Sequence, residues 1–151
     1  ESLIKWVHNT KEVVSMVKLF AGLKGSGKTK QLIHDINESV KNEAGSMVCI
    51  EKGTKLRYDI DIRVRLIDYQ EYSMGSLSFL KGFISGLHAG NFDISHIFID
   101  SFYKLVDNAS VQEVEDFVLW CEQFGKANDL SFTIAVSEDP EKLSEATKAF
   151  L

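Results

Sequence analysis

The stretch Gly22-Leu23-Lys24-Gly25-Ser26-Gly27-Lys28-Thr29 constrains this chain more than any other, because it fixes a loop shape and dictates what must flank it. Gly22, Gly25 and Gly27 free the backbone to turn several amides toward one side. Lys28 and Thr29 then add an ammonium and a hydroxyl at the start of the next segment. Val17-Lys18-Leu19-Phe20-Ala21, just before, reads as a strand. Leu32, Ile33, Ile36 and Val40, just after, fall on one face of a helix over about residues 28–42, with Gly45 as its stop signal. A glycine-rich turn at that junction gathers unpaired N–H groups and the positive end of a helix dipole, which suits a phosphate-bearing ligand.

The remaining chain continues the alternation of strand and helix, which predicts an α/β fold on a mostly parallel five-stranded sheet. Ser46 to Glu51 is nearly all apolar, as in a strand covered on both faces. Residues 63–68 carry Arg63, Arg65 and Asp68 and are expected at a sheet edge. Leu77, Leu80, Phe83, Ile84 and Leu87 define a second helix, where Gly82 and Gly86 are expected to allow close packing on the sheet. His96 to Ile99 forms a strand that ends in Asp100. Val111, Val114, Phe117, Val118, Cys121 and Phe124 mark a third helix, with Ser110 and Glu113 spaced as a capping box. Phe132 to Val136 is the last strand, and Asp139-Pro140 opens a short final helix.

With 151 residues, one core is expected. Twenty-two acidic against 17 basic side chains leave a formal charge of −5, which argues against non-specific nucleic-acid binding. Cys49 and Cys121 form no CxxC pair and are expected as buried free thiols. No stretch reaches the length of a membrane span, and a cytoplasmic setting is expected. Glu1 to Ser15 fits the alternation poorly. It is read as an N-terminal extension, either appended or a genuine helix, preceding one nucleotide-binding domain at residues 16–151.

The full match to GxxxxGK[ST], with its strand before and helix after, resembles the P-loop NTPase superfamily and implies that family's three-layer sandwich. A distant carboxylate after an apolar strand suits the recombinase-like and thymidine-kinase-like branches. The zinc-bound lid of the latter would need more cysteines than two. The chain also resembles short uncharacterised bacterial ATP-binding proteins. The resemblance implies ATP and Mg²⁺ as ligands, with Gly22, Leu23, Lys24, Gly25, Ser26, Gly27, Lys28 and Thr29 around the phosphates. Lys28 would also serve the reaction, Thr29 would reach the metal, and Asp100 would hold it as a Walker B carboxylate. Asp68, at another strand end, is the competitor for that role. Without an NKxD motif, ATP is expected over GTP.

Where related ATPases often place a glutamate after the Walker B aspartate, this chain has Ser101. Glu51, ending the second predicted strand, is the alternative general base, set against an ordinary strand-end carboxylate. Arg57, Arg63 and Arg65 could clamp phosphate, reach a neighbouring subunit or line a solvated hairpin, and the last is the default. Tyr58, Tyr69, Tyr72, Phe102 and Tyr103 lie near predicted strand ends, where rim packing competes with base stacking. The expected function is a Mg-dependent ATPase or ATP-driven switch, with a small-molecule kinase or a non-hydrolysing nucleotide-sensing module as alternatives. A protein partner and homo-oligomerisation remain open.

Overall fold

Parallel strands with long apolar runs must be covered on both sides, and the chain meets that demand in three layers. The computed structural model describes residues 14–72 and 74–151, so most of the N-terminal extension lies outside the described residues. Its elements are β1 (Val17–Ala21), α1 (Lys28–Asn42), β2 (Ser46–Glu51), β3 (Val64–Asp68), α2 (Leu77–Gly90), β4 (Ile94–Ile99), α3 (Phe102–Leu105), α4 (Val111–Asn128), β5 (Ser131–Val136) and α5 (Glu145–Lys148). Short 3₁₀ turns occupy Tyr69–Glu71 and Pro140–Lys142.

The five strands lie in the order β1-β5-β4-β2-β3, every neighbouring pair parallel. On one face Leu32, Ile36 and Val40 of α1 pack with Leu56, Ile60, Met47, Cys49, Phe98 and Ala135. On the other, Leu80 and Ile84 of α2 and Val114, Phe117, Val118 and Cys121 of α4 meet Val48, Ile50, Ile97, Ile99 and Ile134. The period-2 alternation of each strand explains the division: Cys49 and Phe98 face α1, while Ile50 and Ile99 face α2 and α4.

Edge and cap expectations hold at particular residues. β3 is an edge strand. Ser110 Oγ accepts the Glu113 amide at 3.2 Å while Glu113 returns to the Ser110 amide at 3.2 Å, a capping box that stabilises the α4 start by about 1 kcal/mol. Both cysteines are buried and free. At the N-terminal end of the domain, Glu122 of α4 accepts the Met16 amide at 2.6 Å and the Ser15 hydroxyl at 2.9 Å, pinning the entry to β1.

Two expectations need correction. Gly82 and Gly86 do not draw α2 onto the sheet, since a Cβ at either position would meet open space; Leu80 and Ile84, on the opposite face, do the packing. Asp139-Pro140 opens only a 3₁₀ turn, and the helix that follows starts at Glu145 under a Ser144 cap. The four-residue α3 had no sequence signal, because one turn is too short to establish a period.

Candidate functional site

The loop after β1 is held by one backbone bond to a neighbouring strand and one within itself. The Gly22 amide donates to Val136 O of β5 at 3.3 Å, and the Ser26 amide donates to Leu23 O at 3.0 Å. Gly25 and Gly27 take left-handed backbone conformations, φ 87° and 89°, which only glycine adopts without strain. Gly22 is glycine for a different reason: a Cβ there would collide with Ser26 Oγ. Gly27 is the N-cap of α1, so no side chain caps the helix, and its first turn holds no acidic residue. The leading N–H groups of α1 and its dipole therefore remain available to an anion.

Lys28 is buried. Its Nζ lies 3.1 Å from Leu23 O and 3.5 Å from Ser26 Oγ, folded back over its own loop. Burial lowers its pKa from the usual lysine value, with the field of Asp100 acting the other way. Asp100 stands just past β4, buried, accepting a 3.3 Å bond from Ser101 Oγ. Desolvation raises its pKa, against the opposing pull of Ser101, Lys104, Lys55 and Lys28. Ser101 takes a left-handed conformation, φ 54°, that turns the chain sharply out of β4 into α3.

Strand order sets the space between these groups. β5 lies between β1 and β4, so two strand spacings, about 10 Å, separate the loop from the Asp100 end. A cleft of about 600 Å³ opens there, lined by Lys24, Gly25, Gly27, Lys28, Thr29, Lys30, Asp100, Ser101, Lys104, Ala135 and Ser137. Four ammonium groups face one carboxylate, an environment for a multiply charged anion.

Lys24, Gly25, Gly27, Lys28, Thr29 and Asp100 thus come together as expected. Gly22, Leu23 and Ser26 shape the loop from outside the cleft wall, with the Leu23 side chain largely exposed. Lys30, Lys104 and Ser137 were missed. Ser137 follows an apolar strand just as Asp100 does, so the same pattern could have found it; Lys104 rides on α3, which left no sequence signal.

Glu51 ends β2 beside Asp100, because Ile50 pairs with Ile99 and the Asp100 amide donates to Ile50 O at 3.0 Å. Glu51 is 2% exposed, and its carboxylate accepts the Lys55 amide at 2.9 Å and the Leu56 amide at 3.2 Å. Burial raises its pKa, the two amides oppose that, and Asp100 adds to it. Asp68 accepts the amides of Gly53 at 2.8 Å and Gln70 at 3.1 Å, and neither Asp68 nor Glu51 lines the cleft. Arg63 is paired with Asp61 on the surface, and the pocket that holds Arg63 and Arg65 lies by Ser46 and Ile94, at the sheet end opposite the cleft. Tyr69 and Phe102 are buried packing residues, and Tyr58 is exposed.

The fold and site together define an α/β protein with an all-parallel five-stranded sheet and an anion-receptive loop at the carboxyl ends of its strands. A scan against protein-family models and a search of curated proteins return no match. Among the described residues, no cluster of three or more His, Cys, Asp or Glu could hold a metal, and no helix is long and apolar enough to cross a membrane.

Proposed function

We propose that this chain is a P-loop nucleotide-binding protein that takes ATP with Mg²⁺ in the Lys28 cleft and works as an ATPase or ATP-driven switch. The observation that carries the reading is the helix start at Lys28: uncapped, preceded by left-handed Gly25 and Gly27, and roofed by a buried ammonium. An oligophosphate supplies the charge that these donors lack, and it binds at helix N-termini for that reason.

Each residue has a task in that reading. The amides of the 22–29 loop hold the phosphate oxygens. Lys28 exchanges the Leu23 carbonyl for phosphate oxygen and neutralises charge that builds up as the terminal phosphoryl group departs. Thr29 and Asp100 supply hard oxygen donors, which suits Mg²⁺, since that ion binds through few protein oxygens and keeps phosphate and water as its other ligands. The raised pKa of Asp100 fits the same assignment, because a buried carboxylate is stabilised by a cation beside it. A Mg²⁺ held by these oxygens would supply positive charge to offset that of the phosphates.

Glu51 is the proposed general base for a water attacking the terminal phosphorus. Its raised pKa favours proton uptake, and each carboxylate oxygen keeps a lone pair beyond its amide bond. The same two amides also support the second reading, a module that binds and switches without turnover, because they hold the carboxylate back from the reaction.

Thermal melting with Mg-ATP, Mg-ADP and Mg-GTP tests the binding claim. Ligand at a hundred times its dissociation constant adds about 2.7 kcal/mol of stability. No shift with any of the three would end the assignment. Phosphate release then separates ATPase from switch.

A further inference from the structure

A second cavity adjoins the cleft, and Lys104 lines both. It measures about 290 Å³ and is lined by Lys52, Tyr69, Gln70, Met74, Gly75, Lys104 and Asp107. It sits at the carboxyl rim of the sheet, past the ends of β2 and β3, where open parallel sheets take ligands. We propose that this cavity is a second ligand site, taking a small molecule with a carboxylate or phosphate group. The site rests on the nucleotide reading only in placing that ligand beside a bound triphosphate tail.

The walls are held by the fold. The Asp68 carboxylate accepts the amides of both Gly53 and Gln70, tying the Lys52 segment to the 3₁₀ turn after β3. The Asp107 amide donates to Gly75 O at 2.8 Å, fixing the opposite wall. Tyr69 anchors the floor, its ring meeting Phe83 of α2 edge-on at 5.2 Å. Such a cavity exists without a ligand and costs little to organise around one.

Charge decides what it takes. Two ammonium groups, Lys52 and Lys104, face one carboxylate, Asp107, and among the described residues neither ammonium has a hydrogen-bond or ion-pair partner. The cavity also continues the cleft: Lys24, Lys28, Lys30, Lys52, Lys55 and Lys104 gather at this end of the sheet, where Glu51, Asp68, Asp100 and Asp107 also stand. The unpaired ammonium groups of Lys52 and Lys104 favour a small anion in the cavity. The Gln70 amide adds a neutral donor and acceptor that can orient a polar group on the ligand.

Amide NMR of the intact chain tests this with two probes, inorganic phosphate and malonate, each titrated into protein saturated with Mg-ADP and into nucleotide-free protein. The expected result is movement of the Gly53, Gln70, Gly75 and Asp107 amides, with affinity at least fivefold weaker in Lys52→Met, whose exposed side chain has no structural partner. Response to phosphate alone assigns a phosphate-bearing ligand, to malonate alone a carboxylate, and to both a site that reads charge. The proposal is overturned if these amides stay still, if only residues 24–30 respond, or if Lys52→Met binds as the parent does. Failure of the nucleotide reading is distinguishable: the 24–30 amides would not move on adding Mg-ADP, while the nucleotide-free titration would still report on the second cavity.

Discussion

The ammonium of Lys28 rests 3.1 Å from the carbonyl oxygen of Leu23, five residues back in its own loop. Asp100 lines the same cleft, yet the two do not pair directly, because β5 and its Ser137 extension stand between their strands. A buried cation and a buried anion kept apart across a cleft are both under-solvated, and each gains when a ligand of opposite charge arrives.

Replacing Lys28 with Met keeps the volume and removes a desolvated charge. The ligand-free protein is expected to melt at or above the parent temperature at pH 7. Mg-ATP affinity should fall ten- to a hundredfold, the weight of a charge-assisted phosphate bond at ~1.4 kcal/mol per decade. Calorimetry and melting on one sample check both. Equal affinity in the two proteins would remove Lys28 from the site.

Asp100→Asn separates stability from binding by pH. Burial raises the Asp100 pKa in the folded state, so stability linked to this group is fully present below the unfolded carboxylate value and is lost as pH rises through the folded value. At pH 7 the Asn variant without ligand is therefore expected to be more stable, by about 1 kcal/mol or roughly 2–4 °C. The gain should shrink as the pH is lowered toward about 4. Mg²⁺-dependent strengthening of ATP binding should disappear. A constant difference across that range would contradict the burial argument.

Glu51 has a raised pKa as well, but its removal should act the other way. Glu51→Ala leaves the buried Leu56 amide and the part-buried Lys55 amide without this acceptor, a loss of about 1–3 kcal/mol for the buried one, and should lower the melting temperature. Glu51→Gln keeps one acceptor and is the cleaner test of chemistry: a Glu51 base predicts a severe loss of phosphate release with ATP affinity preserved. Undiminished hydrolysis would reduce Glu51 to an anchor for the 52–56 turn.

Two glycines in the loop should fail for different reasons. Gly22→Ala puts a methyl group against Ser26 Oγ, and the added substitution Ser26→Gly should restore nucleotide affinity. Gly27→Ala meets no neighbour but must hold φ near 89°, at a cost of about 1–2 kcal/mol, so Ser26→Gly should not rescue it. Affinities of the four proteins measure the contrast.

At the other end of the sheet, buried His96 and Thr133 join half-buried Glu43 and Asp35 in a polar chain, with His96 Nδ1 3.1 Å from Glu43 and Nε2 2.8 Å from Thr133 Oγ1, which donates to Asp35 at 2.9 Å. Burial holds the His96 pKa below its usual value despite the carboxylates nearby. Thr133→Val keeps the shape and breaks the chain in the middle. It should destabilise the protein by about 1–3 kcal/mol in denaturant melts while leaving the cleft intact.

The sequence by itself determined the pieces whose causes are local. Gly25 and Gly27 demand their backbone conformations, Leu32, Ile36 and Val40 demand a helix face, and Ser46 to Glu51 demands cover on both sides, so the loop, its flanking elements and the strand ending at Asp100 could be read from residue order. Tertiary structure alone decided that β5 enters between β1 and β4, that Lys104 and Ser137 join the cleft, that Glu51 holds two amides, and that Gly82 and Gly86 face outward. Except for the Glu51 bonds, which reach only to Lys55 and Leu56, those outcomes depend on which strand pairs with which and which helix face finds the sheet. They are fixed by contacts between residues distant in sequence, where periodicity and propensity carry no information.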